Sequence, residues 1–260
     1  MKRFPYALIT LALTIPVFAS YEDQSYLSYD SGDTVVVQGI DNREIEVGVN
    51  SPVFAGDQVV TGRRGRVEIR LADGNVVALD SRTALLFHAM QGSYESEDQQ
   101  TIAELIRGKL IVHHNDDDHV PVRIDTRSAS YHSLDQSILS IETDGYRDEV
   151  SVFGGLVEVR TREGSYRLRT GERVFVGEKG IYESSGLARD GMDDFERWYM
   201  RRSDDTRGYQ ARYIQGRNSY AEPILDVYGS WVYVQDYGDW VWRPRVSVGW
   251  KPYHNGYWRR

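Results

Sequence analysis

The sequence predicts a mainly β protein: a long β body, then a short α-helix, then a small aromatic-rich β module. Three observations carry this. From about residue 25 to 177, apolar and polar residues alternate in short runs separated by glycine-containing turns, the period of strands with one buried face. At Met192, Phe195, Trp198 and Tyr199 the spacing changes to one helical face. All 6 tryptophans, Trp198, Trp231, Trp240, Trp242, Trp250 and Trp258, lie in the last quarter of the chain.

In chain order, Met1-Lys2-Arg3 is followed by a mainly apolar stretch from Phe4 to Phe18, with small residues at Val17 and Ala19. This is the pattern of a signal peptide, residues 1–19, cut between Ala19 and Ser20. The stretch is bracketed by Pro5 and Pro16, and is shorter than the roughly 20 apolar residues a span requires. The expected location is periplasmic or secreted, in a bacterium. No cysteine follows to take a lipid, and no second apolar segment of spanning length occurs. No membrane insertion is expected after cleavage.

The body occupies residues 20–183. Val67, Ile69 and Leu71 alternate with Arg66, Glu68 and Arg70, Asp73-Gly74 gives a hairpin-type turn, and Val77 and Leu79 resume the pattern. The same style recurs from Leu110–Val112 through Val122–Ile124, Ile138–Ile141, Val150–Val152 and Val157–Val159 to Val174–Val176. Periodicity leaves sandwich, barrel and solenoid open. The basic run Gly62 to Arg66 reads as a turn between strands. Residues 184–203 are a linker and helix, with Ser184-Ser185-Gly186 as the hinge, Asp190 or Asp193 as the cap and Arg201-Arg202 at the close. The aromatic module is residues 204–260, β-like at Trp231–Val234 and Trp240–Trp242.

The formal charge is −8, and becomes −10 without Lys2 and Arg3. Residues 20–188 carry −12 and residues from 189 onward +2. So acidic a chain lacks the footprint for nucleic acid. With 0 cysteines, disulfides and thiolate metal sites are impossible and packing must hold the fold.

Two stretches resemble known families. Gly56-Asp57-Gln58-Val59-Val60-Thr61-Gly62, followed by Gly65-Arg66-Val67-Glu68-Ile69-Arg70-Leu71-Ala72-Asp73-Gly74, resembles the core of the FecR domain. Leu105 to Leu110, Val152 to Val159 and Leu168 to Glu172 match its later motifs, and Ser25-Tyr26 with Gly32 to Val35 its first strand. Asp226 to Trp231, Tyr237 to Pro244 and Trp250 to Trp258 are similar to the tryptophan-rich domain of unknown function DUF6600, whose relatives often continue further. The FecR resemblance implies a β-solenoid-like body and lateral faces suited to a protein partner. In that family the periplasmic part receives a signal from an outer-membrane transporter, and a membrane span and cytoplasmic domain convey it. Neither of these is read in this chain, so it is expected to lack transmembrane signalling of its own.

Two candidate sites stand out. His113, His114, Asp116, Asp118 and His119 crowd donors for Zn²⁺, Ni²⁺ or Ca²⁺ into seven residues. A solvated loop between strands ending at Val112 and starting at Val120 accounts for them equally, and no metal is assigned. Trp231, Trp240, Trp242, Trp250, Tyr253 and Trp258 form an aromatic set that can stack on sugars or anchor a protein, or simply form the module's own core. No hydrolase, metalloprotease, nucleotide or dinucleotide motif occurs. Ser133 and His132 are neighbours that a strand sends to opposite faces. The expectation is a non-enzymatic envelope protein without cofactor. Its partner is another envelope protein or, alternatively, cell-wall glycan bound through the aromatic module.

Overall fold

The computed structural model describes residues 25–90, 100–115, 121–187, 191–206 (side chains to 203), 212–213, 225 and 229–246. The cleavage residues Ala19 and Ser20, the loop residues Asp116, Asp118 and His119, and Trp250, Tyr253 and Trp258 lie outside them.

Among the described residues the body contains 17 strands. In chain order they are β1 (Ser25–Asp30), β2 (Thr34–Val37), β3 (Glu44–Glu46), β4 (Pro52–Val53), β5 (Gln58–Thr61) and β6 (Val67–Arg70). Next come β7 (Val76–Leu79), β8 (Ala84–Ala89), β9 (Thr101–His114), β10 (Val122–Asp125), β11 (Ser130–Ser133) and β12 (Ser137–Thr143). The last are β13 (Arg147–Gly154), β14 (Leu156–Thr161), β15 (Gly164–Arg169), β16 (Glu172–Gly177) and β17 (Gly180–Gly186). They build two facing sheets. The first runs β4-β1-β6-β7-β9-β12-β13-β16-β17. The second runs β3-β2-β5-β8-β9-β10-β11-β14-β15.

Strand β9 belongs to both. Its residues 101–107 pair with β8 and β10, and residues 108–114 with β7 and β12. The joint is Gly108, at φ 88°, where an added Cβ would lie 2.7 Å from the Thr83 Cα; only glycine accepts that backbone and that approach. Strands β3 and β4 add behind β2 and β1; from β5 and β6 onward each later strand joins the advancing edge. This is the solenoid-like growth that the family resemblance implies, built from antiparallel pairings with one parallel exception, β9 with β10.

The alternation seen in the sequence fills the space between the sheets. Ile69, Val77, Leu110, Leu139, Val150 and Val176 of the first sheet all point into this core. Each such burial is worth about 1.5–3 kcal/mol. The motif residues hold the turns. Asp57, buried, accepts the Gly39 and Phe54 N–H groups at 3.0 and 3.1 Å. Thr61 donates to the Asp80 carbonyl at 2.5 Å and accepts the Thr83 N–H at 2.9 Å. Asp148, fully buried, accepts the Tyr131 hydroxyl at 2.6 Å and that of Thr126 at 2.5 Å. Burial first, and then the Asp148 carboxylate, push the Tyr131 phenol well above its ordinary pKa.

Helix α1 (Asp194–Thr206) lies on the outer face of the first sheet. Two expectations are corrected. Ser184, Ser185 and Gly186 are not a hinge but part of β17, paired with Val174, Arg173 and Glu172. Arg201 and Arg202 do not close the helix, which continues to Thr206. Among the described residues, no helix is long and apolar enough to cross a membrane. The small β module is a hairpin of β18 (Gly229–Val234) and β19 (Asp239–Pro244).

Candidate functional site

The helix docks because the first sheet is apolar on both faces at its centre. Val76, Ala78, Ile111 and Ile138 point outward and receive Phe195 and Tyr199, which are 1% and 2% exposed. Asp193 caps the helix: its carboxylate accepts the Glu196 N–H at 2.8 Å, and Glu196 accepts the Asp193 N–H at 3.0 Å. This reciprocal pair satisfies two orphan donors of the first turn.

Lys109 rises from the sheet beneath that turn, 2.6 Å from Asp193, 2.8 Å from the buried Glu196 and 3.5 Å from Glu142. Burial alone would lower its pKa, but the Asp193 and Glu196 carboxylates outweigh it and the ammonium is held above its ordinary value. Burial alone would likewise raise Asp193; the Glu196 N–H and the Lys109 ammonium reverse that and hold it below. Arg66 lies 5.6 Å from the rings of both Phe195 and Trp198, a cation–π contact.

At the other end of the helix, Arg202 reaches Glu68 at 2.7 Å and lies 4.6 Å over the Tyr29 ring. Beside this pair, a cavity of about 570 Å³ is lined by Glu68, Arg70, His113, Tyr199, Arg202 and Ser203. His113 Nδ1 and the Tyr199 hydroxyl are 2.9 Å apart, and the Ser203 hydroxyl is 3.5 Å from the same nitrogen. That longer distance, on a nitrogen already engaged, is not a serine–histidine nucleophile arrangement. His114 also lines the cavity, and the Arg202 guanidinium there is matched by the Glu68 carboxylate. Sequence reasoning missed this cavity. Glu68 and Arg202 are 134 residues apart, and nothing local links them.

The candidate metal residues divide. His113 and His114 end strand β9 instead of opening a loop, because their backbones pair with Ile138 and Ser137 of β12. His113 faces the helix, whereas His114 Nδ1 contacts the Asp135 carbonyl at 2.7 Å. Among the described residues, no three His, Cys, Asp or Glu side chains group as a metal site. His132 and Ser133 sit in β11. Ser133 bonds to Val122, and burial, with Arg160 and Arg123 nearby, lowers the His132 pKa.

The aromatic set is partly assembled. Trp231 pairs across the hairpin with Trp242, and Tyr233 with Trp240, so all four share one face. Tyr213 stacks on Trp231 at 5.0 Å and meets Trp240 at 4.9 Å. The Trp242 indole donates to the Leu225 carbonyl at 2.8 Å. Trp240 and Tyr233 remain 44% and 51% exposed. The rings therefore form a small cluster of their own and still present an open edge.

Among the described residues, the two-sheet β body thus carries one docked helix, and an aromatic hairpin follows it. A family model described as FecR protein matches residues 57–158, from the start of β5 into β14. Two solved structures of candidate anti-sigma factors from Parabacteroides distasonis ATCC 8503 are similar to the chain. One is 22% identical and covers 50% of this chain and 59% of its own, with a TM-score of 0.42. The other is 16% identical and covers 73% of this chain and 99% of its own, with a TM-score of 0.44. No curated protein matches.

Proposed function

We propose that this chain is an exported, non-enzymatic protein of the bacterial envelope whose β body binds another envelope protein, with the aromatic module as an accessory docking piece. The FecR match over residues 57–158 carries the reading. In support, the motif residues Asp57 and Thr61 are spent on holding turns, which is scaffold work rather than catalysis. Export rests on the pattern of residues 1–19. Signalling through the membrane is left to other proteins in this reading, and the module after the helix is taken as DUF6600-like.

A second reading is favoured by one observation. Trp231, Tyr233, Trp240 and Trp242 share a hairpin face that is partly open, and such a face stacks on sugar rings of peptidoglycan. One experiment separates the two. Wild type and the Trp240→Ala/Trp242→Ala variant are crosslinked in intact envelopes and, in parallel, sedimented with purified peptidoglycan. A specific protein captured by both forms supports the first reading. Peptidoglycan retention lost in the variant supports the second. Retention of neither refutes both, and recovery of the chain from the cytoplasm refutes export.

A further inference from the structure

The two sheets end together. Among the described strands, β3 pairs only with β2 and β4 only with β1 at the first end, and β15 only with β14 and β17 only with β16 at the last end. On the free side of β15 the Arg169 N–H is held by the Glu172 carboxylate at 2.6 Å, a side-chain cap that an incoming strand would displace. Open strand edges invite pairing with another chain unless charge or cover prevents it.

The charges on these edges are of opposite sign. In β3, Ile45 turns to the core while Glu44 and Glu46 are exposed on the outer face. In β15, Leu168 turns to the core while Arg167 and Arg169 are exposed on the same outer face of the same sheet. No ion pair among the described residues engages any of these four side chains. Glu158, across from Arg167, is already taken by Arg160 at 2.6 Å. Exposed apolar groups accompany them: Val49 at 54% in the connection from β3 to β4, Tyr166 at 37% in β15 and Tyr182 at 55% in β17.

We infer that the body self-associates head to tail, with β3 of one copy adding to β15 of the next. Between β3 and β15 every pairing but one is antiparallel, so the two strands run in opposite senses. A copy stacked in the same orientation therefore presents β3 antiparallel to β15. Both inner faces stay aligned, and Glu44 and Glu46 stand opposite Arg169 and Arg167. Opposite charges across an antiparallel pair are favourable and like charges unfavourable. The edges thus disfavour β3 against β3 and β15 against β15, and with them a two-fold dimer through these strands. What remains is a heterologous contact that propagates into an open chain.

The test is sedimentation velocity of the purified protein over a range of concentrations, at low and at high salt. The expected result is a sedimentation coefficient that climbs with concentration without a plateau at dimer, and climbs less in high salt. Glu44→Arg/Glu46→Arg and Arg167→Glu/Arg169→Glu, each with the wild-type circular dichroism spectrum, should each associate at least tenfold more weakly. An equal mixture of the two should regain association, because each variant keeps the end that the other lacks. A wild type that stays monomeric, one that stops at a dimer, or a mixture no better than its components overturns the inference. The salt series on wild type alone decides the matter if either variant fails to fold.

Discussion

Replacing Lys109 by Met removes the cation under the first turn of α1 while keeping the length of the apolar stem. The cost is set by what is left behind. Asp193 and Glu142 have side chains 46% and 53% exposed, so water takes over their share and they contribute little. The Glu196 side chain is 1% exposed, and its nearest remaining cation is Arg173 at 3.8 Å. Stranding a buried charge in this way costs about 3–5 kcal/mol. The additional change Glu196→Gln keeps an oxygen for the Asp193 N–H but needs no counter-charge, and should recover at least half of the loss. Urea unfolding followed by circular dichroism measures both, and hydrogen exchange of the residue 194–206 amides shows whether the helix loosens first. A single variant within about 1 kcal/mol of wild type, or a double variant no better than the single, would refute the account. The pH dependence has a defined sign. Lys109 is raised, so its contribution is complete below about pH 10.4 and is lost as pH rises through the higher folded value. Asp193 is lowered, so its contribution is present above about pH 3.9 and is lost as pH falls through the folded value. The clasp should hold between these limits and weaken beyond each.

Asp57→Ala removes the acceptor of two backbone N–H groups, and should cost about 2–4 kcal/mol by urea unfolding, with Asp57→Asn intermediate. Tyr131→Phe deletes a donor to the buried Asp148, and should cost about 1.5–3 kcal/mol; in an alkaline titration followed at the phenolate absorbance, one late-ionising tyrosine should disappear with it.

The strands were legible because their inward positions are apolar at period two, and Asp73-Gly74 announces a turn in one dimension. The helix was legible from Phe195, Trp198 and Tyr199. Its docking surface was not read, although Val76-Val77-Ala78-Leu79 and Leu110-Ile111-Val112 carry the signal. Strands apolar on both sides must be covered on both sides. The ion pairs that fasten the helix could not be read at all. Lys109 and Asp193 are 84 residues apart, and charged residues are so common here that no spacing singles these out. The division of His113 from His114 was equally hidden, since it depends on β9 continuing two residues past its last aliphatic.

From β5 onward the strands add in chain order, and this has a consequence for the history of each molecule. A chain delivered from its N-terminus, by a ribosome or through a pore, finds most of its partners already folded as each new segment appears. Strand β9 is where this matters most, because one continuous segment closes onto β8 and β7 and then offers fresh edges to β10 and β12. The first eight strands are loosely tied until it arrives, and the remaining eight have nothing to build on before it. Assembly of the body is therefore expected to pass through a half-built state whose completion waits on a single fourteen-residue segment, bent at Gly108.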